Sequence, residues 1–153
     1  MSSKKNVILK GNLIPDEVQI GQGNVLQSQM VLEGQITIGN NNIFEDRVQI
    51  MATTGQSIVI GDNNHFHTGC LIYAKSIGSN NDFQPFSVVK SGSIILNNCV
   101  INPKCTVEAD SKLDNVTLYN NGSLRKTSNL HGLLHAKHLD YLTQVLPKYH
   151  ELQ

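Results

Sequence analysis

The stretch most able to do chemistry is His65-Phe66-His67-Thr68-Gly69-Cys70. Imidazoles two residues apart point to the same side of an extended strand. Histidine serves both as metal ligand and as proton-transfer group. A catalytic zinc needs three protein ligands and one open position. After His67 the next histidine is His131, and the chain that follows the pair suggests no third ligand. The expectation is therefore no metal site and no bound zinc, with His65 and His67 at a surface or interface. Acyl transfer would need one general-base histidine beside a cleft. No extended substrate loop or second domain accompanies the pair. Cys70, Cys99 and Cys105 include no close pair, which speaks against a disulfide framework or a Cys-rich zinc site. No glycine-rich phosphate loop or serine elbow is present. No catalytic, cofactor-binding or metal-binding residue is assigned, and an enzyme is not expected.

The 12 Lys and Arg balance the 12 Asp and Glu. A balanced chain sets up no strong long-range field, so nucleic acid and anionic membranes are not expected partners. The start, MSSKKNVILK, carries charge with no long apolar run behind it. Nothing later approaches a membrane span, and a cytoplasmic location is expected. The sequons at Asn115 and Asn121 then read as chance matches.

What must position the histidines is a repeat. The segments IGQGN, IGNNN, IGDNN and IGSNN begin at Ile20, Ile38, Ile60 and Ile77. The first step is 18 residues, the second 22 and the third 17, and steps of 18 from Ile77 reach Ile95 and Leu113. Steps of six inside these units find more apolar residues, and Ile8 and Ile14 extend the frame backward. Each six-residue unit reads as a short strand plus a turn, and three units close one rung of a triangular coil. Complete rungs are predicted at 20–37, 38–59, 60–76, 77–94 and 95–112, with partial rungs at both ends. One inner face would stack Ile20, Ile38, Ile60, Ile77, Ile95 and Leu113. The second would stack Leu26, Phe44, Phe66, Phe83, Ile101 and Tyr119. The third would stack Leu32, Ile50, Ile72, Val89 and Val107.

The fifth residue of each unit faces a corner. At the first corner it is Asn24, Asn42, Asn64 and Asn81, then Cys99 and Thr117. Side-chain amides stacked one above another can form a hydrogen-bonded ladder. Cys70, Cys99 and Cys105 share this position, as does Ser76, so the cysteines read as small buried groups rather than nucleophiles. The four extra residues between Ile50 and Ile60 are placed in a corner loop at Thr53–Ser57. After Arg125 the frame is lost. A helix is predicted over about 133–146, ended or kinked by Pro147. Its apolar stripe comprises Leu139, Leu142, Leu146 and Tyr149, with Leu134, Tyr141 and Val145 beside it. Leu139, Tyr141, Leu142, Val145, Leu146 and Tyr149 form the candidate surface for packing the tail or meeting a partner. The domain division is 1–127 for the coil and 128–153 for the tail.

The [Ile/Leu/Val]-Gly-x-x-[small]-x pattern resembles the hexapeptide-repeat family. That resemblance implies an all-β, single-stranded, left-handed parallel β-helix, here with a C-terminal α-helix. The family includes acyltransferases and γ-class carbonic anhydrases, so a homotrimeric enzyme is the alternative reading. The ending Val145-Leu146-Pro147-Lys148-Tyr149-His150-Glu151-Leu152 is more specific. With Ser123-Leu124-Arg125-Lys126, Leu139-Asp140-Tyr141-Leu142 and the Ile60-Gly61-Asp62-Asn63-Asn64 and Gly78-Ser79-Asn80-Asn81 rungs, it resembles the dynactin subunit 6 family. The likeness covers nearly the whole chain, although the loop between Ile50 and Ile60 looks shorter than in longer members. It implies a non-catalytic, cofactor-free scaffold subunit of dynactin's pointed end, supporting dynein-driven transport and cargo or adaptor binding. Its partners would be dynactin subunit 5 and other pointed-end subunits, without membrane insertion, in a cytoskeleton-associated cytoplasmic complex.

Overall fold

The computed structural model describes residues 4–127 and 131–153. Short strands coil through three sheets, and from Val7 to Leu118 each strand pairs in parallel with its counterpart one rung away. The register follows the repeat. Ile20 lies beside Ile38, Ile38 beside Ile60, Ile60 beside Ile77, Ile77 beside Ile95, and Ile95 beside Leu113. On the second sheet Ile8, Leu26, Phe44, Phe66, Phe83 and Ile101 follow one another. Leu32, Ile50, Ile72, Val89 and Val107 do so on the third. These inward columns form one continuous core. The Phe44, Phe66 and Phe83 rings stack nearly parallel, with centroids 4.7 and 4.8 Å apart. That spacing is the distance between hydrogen-bonded strands, so the backbone ladder imposes it.

The rungs of unequal length keep their register because corners absorb the difference. The extra residues before Ile60 form a turn in which the Gln56 N–H donates to Thr53 O, while Ser57 already belongs to the strand Ser57–Ile60. Between Ile72 and Ile77 the corner is one residue short. Ala74 fills its interior there, and Ser76 sits on a strand opposite the exposed Val59 instead of facing the corner. The last corner is also one residue short. Leu118, not Tyr119, pairs with Ile101 and is buried; Val116, not Thr117, packs against the core. A fixed step of six misses both places, since register follows pairing with the rung below rather than the residue count.

The asparagine column is a ladder with a more economical pattern than amide-to-amide stacking alone. The side-chain oxygens of Asn24, Asn42, Asn64 and Asn81 each accept the next rung's backbone N–H, from Asn42, Asn64, Asn81 and Cys99. Their amide nitrogens donate to the carbonyls of Gly39, Gly61, Gly78 and Leu96. All four side chains are fully buried and satisfied. Asn6 continues the column downward. The Gly that follows each repeat Ile is a matter of space: a Cβ on Gly61 would lie 2.6 Å from Gly78 O. Two positions later in the turn, Asn41, Asn63 and Asn80 adopt positive φ, as do Asn98 and Asn115 on later rungs, which Asn tolerates better than most side chains.

The coil ends differently from its middle. Leu124–Lys126 folds back antiparallel onto Val116–Leu118. At the opposite end Leu152 bridges to Leu9, with the Lys10 N–H donating to Glu151 O and the Gln153 N–H to Ile8 O. Leu124–Lys126 thereby becomes the short terminal strand at one edge of the second sheet, and the Leu9–Leu152 bridge covers part of the other, where a free edge would invite unwanted pairing. The helix spans His131–Tyr149, longer than predicted at both ends. Pro147 neither ends it nor precedes its end by a full turn. There the proline forgoes one i→i−4 hydrogen bond and crowds the carbonyl four residues before it, a cost confined to the helix end. The division placed at 127/128 abuts residues 128–130, which lie outside the described residues.

Candidate functional site

The helix lies on the outside of the second sheet. Outward positions along that sheet run Val7, Val25, Ile43, His65, Asp82, Val100 and Thr117. Val7, Val25 and Ile43 are buried against Leu139 and Leu142, with Leu146 partly buried beside them. The apolar outward residues therefore mark the docking strip for the helix. Of the candidate tail surface, Leu139, Leu142 and Leu146 face the coil and Val145 is half-buried, whereas Tyr141 and Tyr149 are exposed with Leu134. The helix splits the stripe into an inner and an outer row.

Where the apolar strip ends, a polar cluster begins. The His65 and His67 rings stack with centroids 3.8 Å apart. His65 Nε2–H donates to Glu45 Oε2 at 2.5 Å, and His67 Nδ1 lies 3.2 Å from the same oxygen. His67 Nε2–H donates to Asp82 Oδ1 at 2.8 Å. The Thr68 hydroxyl donates to Glu45 Oε1, and the Gln84 amide to Asp82 Oδ2. From the helix, His138 stacks on His65 at 5.3 Å, and His135 bonds to Asn41 O across the seam. His65 is buried beneath this cover, while His67, Glu45 and Asp82 keep about one-fifth of their side-chain exposure.

The two imidazoles differ electrically. Burial pulls the His67 pKa down, but the hydrogen bonds to Asp82 and Glu45 outweigh it and hold the group at about 9. Burial also pulls His65 down, and its bond to Glu45 does not fully compensate, so its pKa is lowered. For Glu45, burial opposes ionisation, yet the bonds from His65 and His67 hold the carboxyl well below the usual carboxylate range. Glu45 and Asp82 thus favour the protonated form of His67, while burial disfavours that of His65.

This corrects one sequence expectation. The histidine pair does have a third oxygen or nitrogen donor near it: Glu45, His65 and His67 place ligand atoms within 4.8 Å of one another. Glu45 comes from the preceding rung, at the position after inward Phe44 that His67 occupies after inward Phe66. A search forward along the chain misses it. The signal was present in the frame, because 22 residues separate positions that the coil stacks directly. The cysteines lie where the frame places them, buried, with burial raising each thiol pKa and pushing Cys70 up to about 11.

Three-sided rungs of hexapeptide strands define the chain as a left-handed parallel β-helix. A crystal structure of a hexapeptide transferase family protein from Anaplasma phagocytophilum superposes with a TM-score of 0.81 at 16% identity, covering 95% of this chain and 89% of that one. A GDP-perosamine N-acetyl transferase from Caulobacter crescentus matches with a TM-score of 0.55 at 16% identity, over 83% of this chain and 58% of the transferase. At such identity the likeness is one of fold. No family model matches the chain. Among curated proteins, dynactin subunit 6 of Dictyostelium discoideum is 34% identical over 97% of this chain and 85% of its own length. Dynactin subunit 6 of Caenorhabditis elegans is 32% identical over 91% of this chain and 80% of its own. The chain belongs to the dynactin subunit 6 family.

Proposed function

We propose that the chain is a non-catalytic scaffold subunit of dynactin's pointed end, bound to dynactin subunit 5 within a cytoplasmic, cytoskeleton-associated complex that supports dynein-driven transport. The observation that carries this reading is the likeness to dynactin subunit 6 proteins, at 30–34% identity over 97% of the chain. The site chemistry agrees with it. A general-base histidine must reach a substrate hydroxyl or amine. Here His65 is buried under the helix, and both ring nitrogens of His67 are directed at carboxylates. Among the described residues no helix is long and apolar enough to cross a membrane.

The outer row of the helix suits a partner. Leu134, Tyr141 and Tyr149 are 65%, 59% and 77% exposed, and exposed tyrosines are typical anchors at protein interfaces. The test is co-expression of a tagged chain with dynactin subunit 5. The expected result is stoichiometric co-purification, weakened in the double variant Leu134→Asp, Tyr141→Asp with the circular dichroism spectrum unchanged. A homotrimer that ignores subunit 5 and transfers an acetyl group from coenzyme A would overturn the reading.

A further inference from the structure

We propose that Glu45, His65 and His67 form a binding site for one divalent zinc ion at the seam between coil and helix. His65 Nε2, His67 Nδ1 and Glu45 Oε2 already lie together, with the carboxylate oxygen 2.5 and 3.2 Å from the two nitrogens. Zinc bonds to histidine nitrogen and carboxylate oxygen at about 2.0–2.2 Å. Tetrahedral ligands at that radius stand roughly 3.3 Å from one another, by the geometry of such bonds. The ion therefore takes the place of the protons now shared between the groups. Glu45 withdraws slightly, and the two stacked rings tilt about their Cβ–Cγ bonds to aim at one point. Residues His65 and His67 are suited to this because alternate strand positions share a face, and adjacent rungs bring Glu45 alongside.

The surroundings resemble a supported metal site rather than a chance cluster. A ligating histidine normally donates its other N–H to a carboxylate or carbonyl, which fixes the ring's orientation and strengthens it as a ligand. His67 does this: with Nδ1 toward the ion, Nε2–H donates to Asp82 Oδ1, and Gln84 holds the second Asp82 oxygen. Glu45 is steadied through its other oxygen by Thr68. The donor set of two imidazoles and one carboxylate, without sulfur, selects zinc over magnesium or calcium and over monovalent copper. From the helix, the His138 ring rests against the His65 ring, 5.3 Å between centroids. The ion would thus stiffen the surface on which the helix sits. This inference does not depend on the partner reading above.

The experiment uses the full chain, stripped with chelator, dialysed and titrated with zinc sulfate by calorimetry. Cobalt(II) serves as a spectroscopic substitute. The expected result is one ion per chain, visible d–d absorption of low-symmetry cobalt, and a raised melting temperature. Glu45→Gln and His67→Ala should each weaken binding about tenfold or more while retaining the native circular dichroism spectrum. Asp82→Asn, which alters only the orienting carboxylate, should weaken it by about 10–100-fold, as outer-shell losses do. His150→Ala, remote from the cluster, should bind as the unmodified chain does. The proposal is overturned by the absence of saturable binding, or by equal binding in Glu45→Gln, His67→Ala and the unmodified chain.

Discussion

Phe66 lies between Phe44 and Phe83, and all three are fully excluded from solvent. Rungs above and below are held at fixed spacing by backbone hydrogen bonds, so a hole left at Phe66 cannot close by collapse. Phe66→Ala is expected to lower unfolding free energy by about 3–5 kcal/mol, read from denaturant midpoints. A loss under about 1 kcal/mol would show that the ring is not part of the packed stack. The same residue-scale logic separates the two neighbours of Phe66. Side chains alternate along a strand, so inward Phe66 turns His65 and His67 outward. There they meet the helix and Glu45 instead of the core. The pattern of alternation was legible in the sequence. The burial of His65 was not, because it depends on a helix that follows it by 66 residues or more in the chain.

At the scale of elements, the helix adds no rung but covers three outward aliphatic residues. Val7, Val25 and Ile43 are nearly solvent-free only because Leu139 and Leu142 lie on them. Each fully buried aliphatic side chain contributes roughly 1.5–3 kcal/mol relative to exposure. Removing residues 133–153 is expected to leave the coil's circular dichroism signature, since the inner core does not include the helix. It should also expose the strip and the edge at Leu9 that Leu152 covers, giving a chain that aggregates on concentration. Light scattering against concentration is the measurement. A truncated chain that stays monomeric would mean that the strip needs no cover. The helix itself was readable from its apolar spacing. Its seat was readable only from the unusual Val and Ile just before inward Leu26 and Phe44, a signal that the count of inward residues passes over.

For the whole molecule, the coil tolerates change at corners and resists it within strands. Rungs of 22 and 17 residues stand among rungs of 18 without loss of pairing. Inserting Gly-Ser-Gly-Ser after Thr54 doubles the exposed loop at 53–56, and doubling a loop costs only about 0.6 kcal/mol. The insert is expected to shift the melting temperature slightly. One residue added between His65 and Phe66 should instead prevent native folding, because a one-residue slip exchanges inward and outward faces. Expression as soluble protein with a cooperative melt separates the two cases. The sequence by itself determined the repeat, the three inward columns, the buried asparagines and the existence of a C-terminal helix. Each follows from a period that the chain carries locally, in steps of six or of a helical turn. The tertiary structure decided the short corners at Ala74 and Val116, and it turned two traces in the sequence into contacts: the helix's seat on Val25 and Ile43, and the meeting of Glu45 with His65 and His67. These depend on which rung lies beside which, and residues 20 to more than 90 positions apart become neighbours only when the coil has closed and the helix has docked.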